Sequence, residues 1–238
     1  MTFLISACIP IADQIYKSQP FAFIYPMKIL LMITALSFPL VPCLRADAAL
    51  DAANAIAKAG GLEVFSEVQS IAFTFNVQLP EKVLTRSWVW EPKHGQVTAV
   101  HENKTYDHKS PAEADKKTDA QFINDQYWLL FPFHLVWDTD TKLTLAEEKI
   151  PAPISGTPFQ RLTIQYGSGG YTPGDAYDLF FDDDYIVREW IFRKGGSETP
   201  TRVTTWEDYK TFSGLNIAQD HRGPDNFRLW FTDVKVEP

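Results

Sequence analysis

The sequence predicts a mainly β protein: a strongly curved antiparallel sheet, in effect a half-open β-barrel, with about two helices covering its concave face. Three observations lead there. Runs of β-branched and aromatic residues alternate with small or polar ones at period two, the pattern of strands whose two faces meet different surroundings. Connections between successive runs are short, which favours antiparallel pairs, because a parallel pair needs a crossover of about a dozen residues or more. Only two segments carry helical spacing.

The first helix is expected over residues 51–59. This stretch is alanine-rich, with Leu50, Ala53 and Ile56 about a turn apart and Gly60-Gly61 as the stop. The second starts at Ser110-Pro111-Ala112-Glu113, which matches a capping box with proline at the first helical position. Its apolar residues are Phe122, Ile123, Tyr127, Leu130 and Phe131, and Pro132 is expected to end it. The clearest strand sets Ile71, Phe73, Phe75, Val77 and Leu79 on one face and Ala72, Thr74, Asn76 and Gln78 on the other. Further strands are expected at 84–90, 96–101, 143–147, 160–166, 177–181, 185–192, 202–206 and 226–236, about nine in all.

Residues 1–48 read as an N-terminal extension plus signal peptide, and 49–238 as a single β domain. Met27 and Lys28 open a positive n-region before the 13 apolar residues 29–41, too few to span a bilayer, which takes about 20 helical residues. Ala46-Asp47-Ala48 supplies an A-x-A cleavage pattern, so the mature chain is expected to run from Ala49, with Met27 as the true start. The product would be periplasmic or secreted and not transmembrane. Cys8 and Cys43 both precede Ala49, which leaves the mature chain without thiol or disulfide chemistry. A lipid anchor at Cys43 would have to tolerate Pro42 before it.

The chain has 22 basic and 30 acidic residues; residues 1–48 hold three and two of these, so the mature portion carries a net charge of −9. That balance opposes nucleic-acid binding, which depends on neutralising phosphates. No G-x-S-x-G occurs, since Tyr166 precedes Gly167-Ser168-Gly169. The segment His101-Glu102-Asn103-Lys104-Thr105 has Thr where a zinc-protease motif needs its second His. His94, His101 and His108 recur every seven residues, but exposed histidines in a polar hairpin explain them without a metal, and a solvated turn explains Asp182-Asp183-Asp184 without calcium. No metal and no cofactor is therefore expected. Asp178 and Glu189 are the one acidic pair that neighbouring strands could bring together for hydrolysis.

Aromatic residues make up 14% of the chain and include seven Trp, placed on strands and helices instead of in loops. A curved sheet with more inner surface than two helices fill leaves an apolar cavity, the common kind of small-molecule site. The expected lining residues are Trp88, Trp90, Tyr127, Trp128, Phe131 and Trp190, with Trp88 and Trp90 on the inner face.

The paired Trp88-Val89-Trp90, the segment Gln126-Tyr127-Trp128-Leu129-Leu130-Phe131-Pro132-Phe133, and Trp206-Glu207-Asp208-Tyr209 running to Gly214 together resemble a secreted branch of the LolA-like superfamily, the periplasmic outer-membrane lipoprotein carriers and their relatives. The resemblance implies a half-open barrel closed by helices around a cavity for acyl chains. In those carriers an early-strand arginine holds the helical lid. Residues 70–79 contain none, so Arg86 on the next strand is the candidate for a lid or polar contact. The expected function is a non-enzymatic carrier of a lipid or other hydrophobic ligand. The alternatives are a scaffold that binds a protein partner of the cell envelope and, behind it, a hydrolase.

Overall fold

A computed structural model of the chain describes residues 41–169, 171 and 173–238. The expected n-region, residues 29–40 of the apolar stretch, and Cys8 lie outside the described residues, as do the side chains of 41–45, Cys43 among them. The elements in order are α1 Val41–Ala59, β1 Ser70–Gln78, β2 Val83–Glu91, β3 Gln96–Ala99, β4 Lys104–Asp107, α2 Lys116–Trp137, β5 Thr141–Leu145, β6 Ile150–Pro151 and β7 Pro158–Tyr166. There follow β8 Ala176–Phe181, β9 Val187–Arg193, β10 Arg202–Thr205, β11 Lys210–Phe212, β12 Leu215–Ile217, β13 Asp220–Arg222 and β14 Arg228–Glu237.

The strands form two antiparallel sheets, ordered β13-β14-β1-β2-β3-β4 and β10-β9-β8-β7-β5, with β6 beside β7 and β11-β12 as a separate hairpin. The sheets meet where β10 reaches β13. There the Arg222 N–H donates to Thr205 Oγ1 at 3.0 Å, and the Glu207 and Asp220 backbones pair. At the far edges β4 and β5 do not pair with each other, so among the described residues the barrel is not closed. This is the curved, half-open antiparallel architecture that the period-two pattern predicts.

Helix α2 lies between the sheets and supplies both cores. Phe122, Leu129, Leu130 and Phe133 pack toward the first sheet, Phe131 and Leu135 toward the second, and Trp128 and Val136 touch both. Two boundaries differ from expectation. The capping box does not form, because Lys104 pins the segment before α2 to β4, its Nζ donating to Ala114 O at 3.0 Å and reaching the Asp115 carboxylate at 2.6 Å. Nor does Pro132 end the helix. Leu130 leaves the helical region at φ −127, ψ 24, and the helix resumes to Trp137, with the burial of Pro132, Phe133 and Leu135 outweighing the lost ladder bond.

Helix α1 starts earlier than expected but stops where the glycines predict, with Gly61 at φ +94. Ala49 is 0% exposed, while Ala46, Asp47 and Ala48 before it face solvent. Trp88 and Trp90 both point inward, 5.6 and 5.7 Å from Phe122 of α2. Strands β4, β6, β11, β12 and β13 add to the expected set; each has four residues or fewer, too short to display a period.

Candidate functional site

Two clefts flank α2. They share Ile123 and Tyr127 of the helix, and Tyr171 of the loop between β7 and β8, in their walls. Tyr171 reaches the helix by donating its hydroxyl to Asp119 Oδ2 at 2.8 Å, while the His108 Nδ1–H donates to the other oxygen at 2.6 Å. The helix ridge and this tyrosine thus divide the interior.

The first cleft, about 520 Å³, lies between α2 and Trp90 of β2, His108 just after β4, Thr139 and Asp140 just before β5, and Tyr166 at the end of β7. Trp90, Phe122 and Trp137 give it apolar walls, and its deep end is a hydrogen-bonded network centred on Asp138. Tyr127 and Tyr166 donate their hydroxyls to Asp138 Oδ2 at 2.6 and 2.8 Å. His134 Nδ1 donates to Oδ1 at 3.0 Å, and its Nε2 lies 2.8 Å from Gln126 Oε1. Burial works to raise the Asp138 carboxyl, but His134 and the two phenols outweigh it and hold the group below the usual carboxylate range. Burial and the same carboxylate push the Tyr127 and Tyr166 phenols well above theirs.

The second cleft, about 490 Å³, lies between α2 and the inner faces of both sheets. Phe75, Val77 and Leu229 come from the first sheet, Tyr177, Trp190 and Phe192 from the second, and Trp128 from the helix. Its polar rim is short: Asn124, Asp175, Thr201 and Arg202. Both volumes fall within the range of about 300–1,000 Å³ typical of small-molecule sites, and the second has fewer acidic, basic and histidine side chains in its walls.

Of the residues predicted from sequence, Trp90 and Tyr127 line the first cleft, and Tyr127, Trp128 and Trp190 the second. Trp88, 1% exposed, and Phe131 sit in packed core instead of on a cleft wall. Arg86 contacts the helix: its guanidinium grips Asp125 of α2 in a two-pronged ion pair, with Nε donating to Oδ2 at 2.7 Å, and Trp88 Nε1 donates to the same oxygen at 2.8 Å. Burial pushes the Asp125 carboxyl upward, against the pull of Arg86, Asn124 and Trp88.

The acidic pair weighed for hydrolysis is engaged elsewhere. Asp178 pairs with Arg193 and accepts from Thr163 Oγ1 at 2.6 Å, and Glu189 accepts the backbone N–H groups of Ile154 and Ser155 at 2.7 and 2.9 Å. Asp182 accepts from the N–H groups of Asp184 and Ile186, closing its own turn. The three histidines go to separate partners, His94 to Glu91, His101 to the Ser87 carbonyl and His108 to Asp119. Among the described residues no cluster of three His, Cys, Asp or Glu side chains could hold a metal. Sequence reasoning missed the Asp138 network, Tyr171, Phe227 and Arg202. For Arg202 a signal exists, since period two places it on the same strand face as Trp206.

No protein-family profile matches the chain, and no curated protein matches it. Solved structures do. A DUF1329 family protein from Desulfovibrio piger is similar at 10% identity and a TM-score of 0.49, covering 81% of this chain and 93% of its own. A LolA superfamily protein from Nitrosomonas europaea is similar at 9% identity and 0.49, over 78% and 94%. An outer membrane lipoprotein-sorting protein domain from Vibrio parahaemolyticus is similar at 9% and 0.47, over 81% and 93%.

Proposed function

We propose that the protein is a non-enzymatic binder or carrier of a lipid or other hydrophobic ligand, exported to the periplasm or secreted. The observation that carries this reading is the second cleft, in which aromatic and aliphatic side chains from two sheets and α2 surround about 490 Å³ with few polar groups. The exposed large apolar side chains, among them Leu50, Val83, Val100 and Ile154, are single residues on separate elements, which gives a partner-binding reading less to rest on.

Export is supported by Ala46, Asp47 and Ala48, which face solvent just ahead of the buried Ala49, so cleavage after Ala48 removes no buried side chain among these three. No helix among the described residues is long and apolar enough to cross a membrane. The test is native mass spectrometry of purified protein with extraction of bound lipid, followed by titration with a fluorescent fatty acid. Bound lipid and saturable probe uptake are expected. A ligand-free preparation that takes up no probe would overturn the reading.

A further inference from the structure

We infer that the ligand of the second cleft is an anionic amphiphile whose carboxylate or phosphate head is held by Arg202, an assignment that rests on the carrier reading above.

The register of the second sheet builds one continuous row. Leu143 of β5 stands opposite Ile164 of β7, Ile164 opposite Tyr177 of β8, Tyr177 opposite Phe192 of β9, and Phe192 opposite Arg202 of β10. Directly opposed residues project on the same face. The row is apolar over four strands, apart from the Tyr177 hydroxyl, and ends in a full positive charge at the strand that meets the first sheet. Tyr177, Phe192 and Arg202 all line the second cleft, so its wall carries one cation, at its margin.

Among the described residues that cation is not paired with a carboxylate. The Arg202 guanidinium lies over the Phe227 ring, 4.0 Å from its centroid. Among the described residues it makes no ion pair and no side-chain hydrogen bond, whereas Arg86, Arg188, Arg193, Arg222 and Arg228 each hold a carboxylate. Stacking fixes the plane of a guanidinium but leaves its edge, with the N–H donors, free to take an oxyanion in bidentate fashion. The one carboxylate in the wall, Asp175, already accepts the Gly195 N–H at 2.7 Å. With a net charge of −9 over residues 49–238, long-range electrostatics repel anions, so selectivity for one has to be local.

The experiment compares oleate, oleyl phosphate and oleyl alcohol, each below its micellar concentration, as competitors of a fluorescent apolar probe, on the wild type, Arg202→Gln and Arg202→Lys. Expected is a preference of roughly tenfold or more for one or both anions over the alcohol, the scale of a charge-assisted hydrogen bond. Arg202→Gln should erase that preference by weakening the two anions far more than the alcohol, and Arg202→Lys should keep part of it. Preference for oleate alone assigns a carboxylate head, and for oleyl phosphate alone a phosphate head. If all three bind the wild type equally, or the preference survives Arg202→Gln, this inference falls and the carrier reading stands. If none binds, both fall.

Discussion

Arg86 of β2 and Asp125 of α2 form a buried two-pronged ion pair that fixes the central helix to the floor of the first sheet. Removing one partner strands a charge in the interior, so Arg86→Ala should lower stability by about 3–5 kcal/mol in urea melts. A double replacement, Arg86→Met with Asp125→Leu, should recover most of the loss, because an apolar pair leaves no stranded charge. A rise in probe binding without loss of stability would instead make the pair a releasable latch.

Trp88 and Trp128 should separate packing from binding. Trp88 is wedged against Phe122 with its indole N–H on Asp125, so Trp88→Ala should cost about 3–5 kcal/mol while the folded variant binds a fluorescent fatty acid as before. Trp128 borders the second cleft and lies 4.5 Å from Trp190, so Trp128→Ala should weaken probe binding several-fold with a smaller loss of stability. Unchanged affinity in the Trp128 variant would remove that cleft from the binding site.

Asp138 makes an acid-sensitive contribution of predictable sign. Its carboxyl sits below its unfolded value of 3.8 in the native protein, so its stabilisation is complete above that value and is lost as pH falls through the lower, folded one. Asp138→Asn keeps an acceptor for Tyr127 and Tyr166 but loses the charge facing His134. It should lower stability at pH 7 by about 1–3 kcal/mol. Between pH 4 and about pH 2 the wild type should then lose more stability than the variant, which parallel urea melts across that range would detect.

Gly61 ends α1 at φ +94, where a Cβ would run into the Gly214 carbonyl oxygen and the Leu215 backbone. Gly61→Ala should therefore cost more than about 1 kcal/mol, whereas Gly156→Ala, at φ +70 with open space around it, should show the backbone penalty alone. Equal effects would mean that the close approach of these two chain segments contributes nothing.

The strands were legible where period two ran for six residues or more, as in β1, β2, β7 and β14, because a half-buried surface repeats on that scale. Strands of two to four residues, such as β6 and β13, exist through their neighbours and carry too little sequence to show a pattern. The extent of α2 was misread at both ends for one reason: a lysine on β4 and burial beyond Pro132 are tertiary effects that override local signals. The aromatic composition pointed to an apolar interior, but which rings line a space depends on packing, so Trp88 and Trp90, two residues apart, end in core and cleft wall respectively. The Asp138 network draws Tyr127, His134 and Tyr166 from 11, four and 28 residues away, spacings that no local motif encodes.

Ser70 of β1 pairs with Glu237 of β14, so two adjacent inner strands of the first sheet are the first and last strands in chain order. Closing that pair means ordering a loop of 166 intervening residues before any ladder bond forms, the kind of non-local step that slows folding. Without its last ten residues β1 would keep an open edge and Phe231 would be missing from the core. A protein built this way cannot complete its first sheet until β14 has been synthesised.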